Sequence, residues 1–122
     1  MSESVVIRVF EVVGGSLCVA AEDGEAVYEQ IAKALERGVS IDLSFRNVEN
    51  LTSAFLNAAI GQLYGKFPAE VIKAHLSVSD MEQEDMFLLR RVVETAKSYF
   101  ADPAPFQDAR RSTMGEEDEP AD

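Results

Sequence analysis

The chain has 122 residues, 47% of them hydrophobic and 27% charged, with seven Gly and four Pro. That balance belongs to one compact soluble domain, and a chain of this length buries roughly two-thirds of its unfolded surface without needing a disulfide or a metal. The net charge of −11, from 22 acids against 11 bases, repels phosphate backbones and anionic lipid, so neither nucleic acid nor membrane is expected as a partner. A single cysteine, Cys18, makes no intrachain bridge, no apolar run approaches the roughly 20 residues needed to cross a bilayer, and the opening MSESVVIRVFEVV lacks a signal pattern. A cytoplasmic location is the expectation.

In chain order, VVIRVF (5–10) and SLCVAA (16–21) are short β-branched or apolar runs separated by EVVGG, whose glycines suit a turn. They predict a β-hairpin. Acids at Glu22, Asp23 and Glu25, then Val27, Ile31, Ala34 and Leu35 at helical spacing with Gly38 as a stop, predict an amphipathic helix over about 24–37. Val39, Ile41, Leu43 and Phe45 alternate with Ser40, Asp42 and Ser44, the pattern of a strand with one apolar and one polar face.

After RNVENL, Thr52 or Ser53 caps a helix through AFLNAAIGQLYGKF, whose apolar face holds Phe55, Leu56, Ala59, Ile60, Leu63 and Tyr64. Asn57, Gly61 and Gly65 form a small-residue stripe; Gly61 is expected at a close approach to the sheet, and Pro68 at the helix end. VIKAHLSV (71–78) alternates again and predicts a further strand with Lys73, His75 and Ser77 on its polar side. Ser79 with Glu82 fits a capping box, opening a last helix over about 81–100 along Met86, Leu89, Val93, Ala96 and Phe100.

The expected architecture is therefore α/β with order ββαβαβα: a two-layer sandwich in which a mixed four-stranded sheet carries three helices mainly on one face. Strands buried on both faces would read as continuous apolar runs. The polar alternate positions here leave an open face of Ser40, Asp42, Ser44, Lys73, His75 and Ser77, with Arg8 nearby. The domain is expected over 1–106 and a disordered acidic tail over 107–122. Residues 112–122 hold five acids and no base, so residues 1–111 carry only −6.

The segment VSIDLSFRNVENLTSAFLNAAIGQLYGKF resembles the STAS-like domains, a bacterial family of uncharacterised function related to the sulphate-transporter and anti-sigma-factor-antagonist domain. The resemblance rests on a strand with an acid at Asp42, a short loop, then Thr52-Ser53 before a helix with Phe55 and Gly61. It covers about residues 16–80 and implies a one-sided α/β sandwich. In the antagonists the loop reads Asp-Ser-Ser-Gly, and a partner kinase phosphorylates the second Ser to switch binding. Carried over by position, Leu51 stands at the Asp, Thr52 and Ser53 at the serines and Ala54 at the Gly, so only the hydroxyls are kept.

The residues themselves argue against catalysis. His75 is the only histidine, which excludes a two-histidine metal site, and no HExxH, HxH or DxDxDG spacing accompanies Asp42. Ser77, His75 and Asp42 could be written as a triad, but no nucleophile elbow presents the serine. Asp42 and His75 are structural polar residues in this reading, with Asp42 paired to Lys73, His75 or Arg8. Cys18 is expected to be a buried, inert thiol. Arg90 and Arg91 are expected on a solvated face, Arg90 pairing with Glu94.

What remains is a non-enzymatic regulatory protein-interaction module with no cofactor and no metal. Its partner surface is expected at Arg46, Asn47 and Glu49, its switch at Ser53 or Thr52, and its partner is a protein, a kinase-like ATPase or another regulator. The alternative is a small-anion or nucleotide-binding domain that uses the helix N-terminus at Thr52–Phe55.

Overall fold

The computed structural model describes residues 3–101. The expected acidic tail, 107–122, and the last residues of the expected domain lie outside them. The elements in order are β1 (Ser4–Arg8), α1 (Val9–Val13), β2 (Leu17–Cys18), α2 (Ala21–Glu36), β3 (Ser40–Ser44), β4 (Asn50–Leu51), α3 (Ser53–Ala59), a 3₁₀ segment (Gly61–Gly65), α4 (Ala69–His75), β5 (Leu76–Ser79) and α5 (Gln83–Ala101). None of the described helices is long and apolar enough to cross a membrane.

The strands form two parallel sheets, not one mixed sheet. The larger has three strands in the order β1-β3-β5, and the smaller pairs β2 with β4. In register, Val6 lies beside Asp42 and Asp42 beside Ser77, while Ile7, Leu43 and Val78 share the next row. Side chains in one row of a parallel sheet point to the same face. Ile41 and Leu43 are therefore buried on the face that meets α2 and α4, while Val6 and Ser77 stay exposed on the other. The one-sided burial expected from the alternation of β3 is present.

The predicted hairpin is absent, and with it the antiparallel pair and the four-stranded count. The run VVIRVFEVV divides at Arg8: Ser4–Arg8 extend along β3, and Val9–Val13 close one helical turn. The turn buries Val9 completely, with Val12 and Val13 partly buried, a spacing of three to four that only a helix places on one side. Gly14 then takes φ 88° and donates to the Phe10 carbonyl, so the glycines read as a hairpin turn are a helix stop.

α2 begins at Ala21, three residues earlier than expected, which places Gly24 inside the helix and in the core. A β-carbon on Gly24 would lie 2.5 Å from the Phe55 carbonyl oxygen and 2.9 Å from Ala58 Cβ. The missing side chain thus lets α2 and α3 touch through their backbones. The helix ends as expected: Gly38 has φ 73°, Val39 donates to Ala34 and Gly38 to Leu35, the paired bonds of a Schellman motif.

The predicted strand over 71–78 is half helix. Pro68, extended at φ −62° and ψ 146°, is the N-cap of α4 and not the end of the previous helix, and residues 69–75 wind nearly two turns before β5 begins at Leu76. Ile72 and Leu76 satisfy both a period of two and an i,i+4 spacing; α4 uses the second and buries Ile72. Lys73 consequently leaves the sheet face, while His75, at the end of α4, stays at its edge beside Ser40. The helix expected after Thr52 is also divided, with α3 ending at Ala59 before the 3₁₀ segment. Gly61 does not approach the sheet: a β-carbon there would meet the Asn57 side chain at 2.5 Å.

Candidate functional site

The expected partner surface lies just beyond the C-terminal end of β3, where parallel α/β sheets present their loops. Phe45 is buried and holds the start of the loop, donating to the Ser79 carbonyl from its N–H and accepting from Val48 N–H. Between these anchors Arg46 and Asn47 turn outward, Asn47 at φ 69°, a left-handed conformation that asparagine tolerates better than most side chains. Glu49 and Asn50 then donate to the Ser16 carbonyl and start the β2–β4 pair. Arg46, Asn47 and Glu49 are all exposed, displayed on a backbone pinned at both ends.

Thr52 and Ser53 have separate roles. Thr52 is the N-cap of α3: its Oγ1 accepts from Phe55 N–H at 3.2 Å and donates to the Val19 carbonyl at 2.9 Å. Its hydroxyl thus closes the helix end and ties it to the strand-2 side of the fold. Ser53, the first helical residue, is exposed, and its side chain makes no hydrogen bond among the described residues. It opens into a groove of about 470 Å³ between α3 and α5, opposite Arg91 and Thr95, with Asn57 one turn further along.

The polar face of the sheet is satisfied internally. Asp42 accepts from Ser79 Oγ at 2.7 Å, not from Lys73, His75 or Arg8 as expected, and Ser77 Oγ donates to the Ile41 carbonyl at 3.3 Å. Ser79, expected in a capping box with Glu82, is instead a strand residue engaged with Asp42; the first helical bond of α5 runs from Met86 to the Glu82 carbonyl. At the edge of that face, His75 Nδ1 lies 3.3 Å from Ser40 Oγ. Ser44, buried, donates to Asp80 at 2.8 Å and accepts from Arg46 N–H. Ser77, His75 and Asp42 therefore each have a different partner, and the triad that could be written from them is not assembled. No group of metal-ligating side chains is present among the described residues.

Cys18 is fully buried in β2, and its thiol is pushed up to about 11, first by burial and then by the nearby charge of Asp23. An ionised nucleophile is thereby disfavoured at neutral pH, in line with the inert thiol expected. Arg90 does not pair with Glu94; its guanidinium lies over the Phe87 ring at 5.9 Å. Arg91 and Ser53 are 38 positions apart, and no local spacing links them. Only the return of α5 alongside α3 brings them into one groove.

Residues 23–86 match the model of the family described as STAS-like domain of unknown function (DUF4325). No curated protein and no solved structure matches the chain. The matched span takes in most of α2, then β3, the Arg46–Ser53 loop, α3, α4 and β5, and so carries both the central strand and the candidate surface. With more than half of its residues matched, the chain belongs to the family of STAS-like domains of unknown function.

Proposed function

We propose that this STAS-like domain is a non-enzymatic regulatory module that docks a protein partner through the Arg46–Ser53 loop and the groove between α3 and α5. The observation that carries the reading is the division of labour at the helix start. Thr52 performs the structural capping, so the exposed hydroxyl of Ser53 is not needed for the fold. A phosphate on Ser53 would add negative charge and acceptor oxygens opposite Arg91, altering the surface a partner meets. The side chains that could run acid–base chemistry, Asp42 and His75, have hydrogen-bond partners within the sheet, which supports a binding role over a catalytic one.

The test is co-purification of the full chain from its native cells, unaltered and as Glu49→Arg and Ser53→Asp. Glu49→Arg is expected to remove the partner, and Ser53→Asp to change its yield several-fold. An unchanged partner list in both variants overturns the assignment of this surface. Intact mass of the native protein, with and without phosphatase, tests the switch separately: a phosphatase-sensitive form is expected, and its absence at every growth stage refutes Ser53 as the switch.

A further inference from the structure

A second cleft lies on the other side of α5 from Ser53, between that helix and β5, with a volume of about 310 Å³. Only Asp80–Glu82 join β5 to α5, so the helix has to run back alongside the strand. It does so at a distance. Buried Val92 and Ala96 hold α5 in place, and its closest packing is with the 3₁₀ segment and α3, leaving a gap over β5. Leu76 and Val78 form one wall, Leu89 and Val93 the other, and Ile60 with Ile72 lines the base.

The polar groups are confined to a few side chains. Lys97 stands on the α5 stripe that begins with Leu89 and Val93, and because α5 runs back past the strand it reaches the end of the cleft where β5 starts. Lys73, in the last turn of α4, is at that same end. Neither lysine has a salt bridge among the described residues, although the whole chain carries twice as many acids as bases. Glu70 is the one acid in the lining, leaving the cleft with a net positive charge. The Tyr64 phenol, held above its ordinary value by burial, remains a hydrogen-bond donor at neutral pH.

An apolar cleft at the small end of the roughly 300–1,000 Å³ range of ligand sites takes a single small molecule. We propose that it binds one small amphiphilic carboxylate, its chain against Ile60, Ile72 and Val93 and its carboxylate between Lys73 and Lys97. A dicarboxylate or a cation fits less well, the first because it needs a second charge in the apolar part, the second because two lysines face it.

Calorimetric titration of the full chain with sodium decanoate, below its micellar concentration, tests the site. Saturable binding of one molecule per chain is expected, with decan-1-ol binding about tenfold or more weakly and decyltrimethylammonium not binding. The double variant Lys73→Glu/Lys97→Glu is expected to weaken decanoate about tenfold or more, while Lys33→Glu leaves it unchanged. Amide shifts of the unaltered chain are expected at Leu76, Val78, Val93 and Lys97. The proposal is overturned by absence of saturable binding, by equal binding of the three head groups, by a double variant that binds as before, or by shifts centred on Ser53 and Arg91. Glu49→Arg, which tests the partner surface, is expected to leave this titration unaltered, so the two readings fail independently.

Discussion

α2 and α5 are the two long amphipathic helices of the described chain, and both pack against α3, yet in opposite ways. At α2 the contact is backbone to backbone where the absent side chain of Gly24 is set against Phe55 and Ala58, and a groove of about 460 Å³ opens only beyond that point, over Tyr28, Ala58 and Lys66. At α5 side chains intervene, and a groove of about 470 Å³ toward α3 and a cleft of about 310 Å³ toward β5 remain on its two flanks. The first seam closes the core; the second holds a helix in place by a narrow buried line while leaving surface for other molecules. If the proposed surfaces are used, the Gly24 seam serves stability and the flanks of α5 serve recognition, and substitutions should separate the two.

The largest expected effect comes from closing the gap that Gly24 leaves open. Gly24→Ala gains helix propensity of about 1 kcal/mol but drives a methyl into the Phe55 carbonyl, which only a shift of α2 from α3 relieves. Net destabilisation of about 2 kcal/mol in urea unfolding is expected; a variant as stable as the parent would mean that the seam is looser than its geometry. Next comes Thr52→Val, which removes the α3 cap and the bond to Val19 together. A loss of about 1–2 kcal/mol is expected, with the Cys18 side of the molecule, not α5, showing the faster hydrogen exchange.

Cys18 offers a pH test of the closed side. In the unfolded chain the thiol ionises near its ordinary value of 9.0, whereas in the fold it stays protonated to about 11. Its contribution is therefore complete below pH 9 and is lost as pH rises toward 11, because unfolding releases a proton in that window. Urea unfolding between pH 8 and 10.5 should show a falling stability whose slope is smaller in Cys18→Ala. The smallest effect belongs to the open side. Gly61→Ala pushes only the end of the flexible Asn57 side chain, so stability should stay within about 0.5 kcal/mol while the Ser53 groove changes shape.

The parts of this fold that were legible in the chain are those where one period dominates. Strand β3 alternates without ambiguity, α2 and α5 keep their stripes for four or five turns, and Thr52 and Gly38 end their helices in the expected manner. Where valine runs fit two periods, tertiary burial decided. Val9 reads as a strand residue and Val12 as part of the following turn, yet both pack in one helical turn, and Ile72 with Leu76 fits either spacing until Pro68 starts a helix. The strand, loop and capped helix around Arg46–Ser53 were legible through their short-range order. Arg91 and Lys97 were not, since their neighbours come from α3, α4 and β5, which only the topology gathers around α5.

The three-stranded sheet has one more consequence, at its β1 border. Ser40 N–H donates to the Glu3 carbonyl, so by alternation Ser4, Val6 and Arg8 turn their amides outward, with Val5 and Val6 about half exposed beside them. Such a border is a template for another extended chain, and Glu3 and Arg8 stand at its two ends as charged gatekeepers. The chain's −11 adds mutual repulsion between molecules that reaches about 10 Å at 0.1 M salt and only about 3 Å at 1 M. No strand among the described residues pairs with this border, and concentrated salt, by screening the repulsion, is expected to bring molecules together through β1.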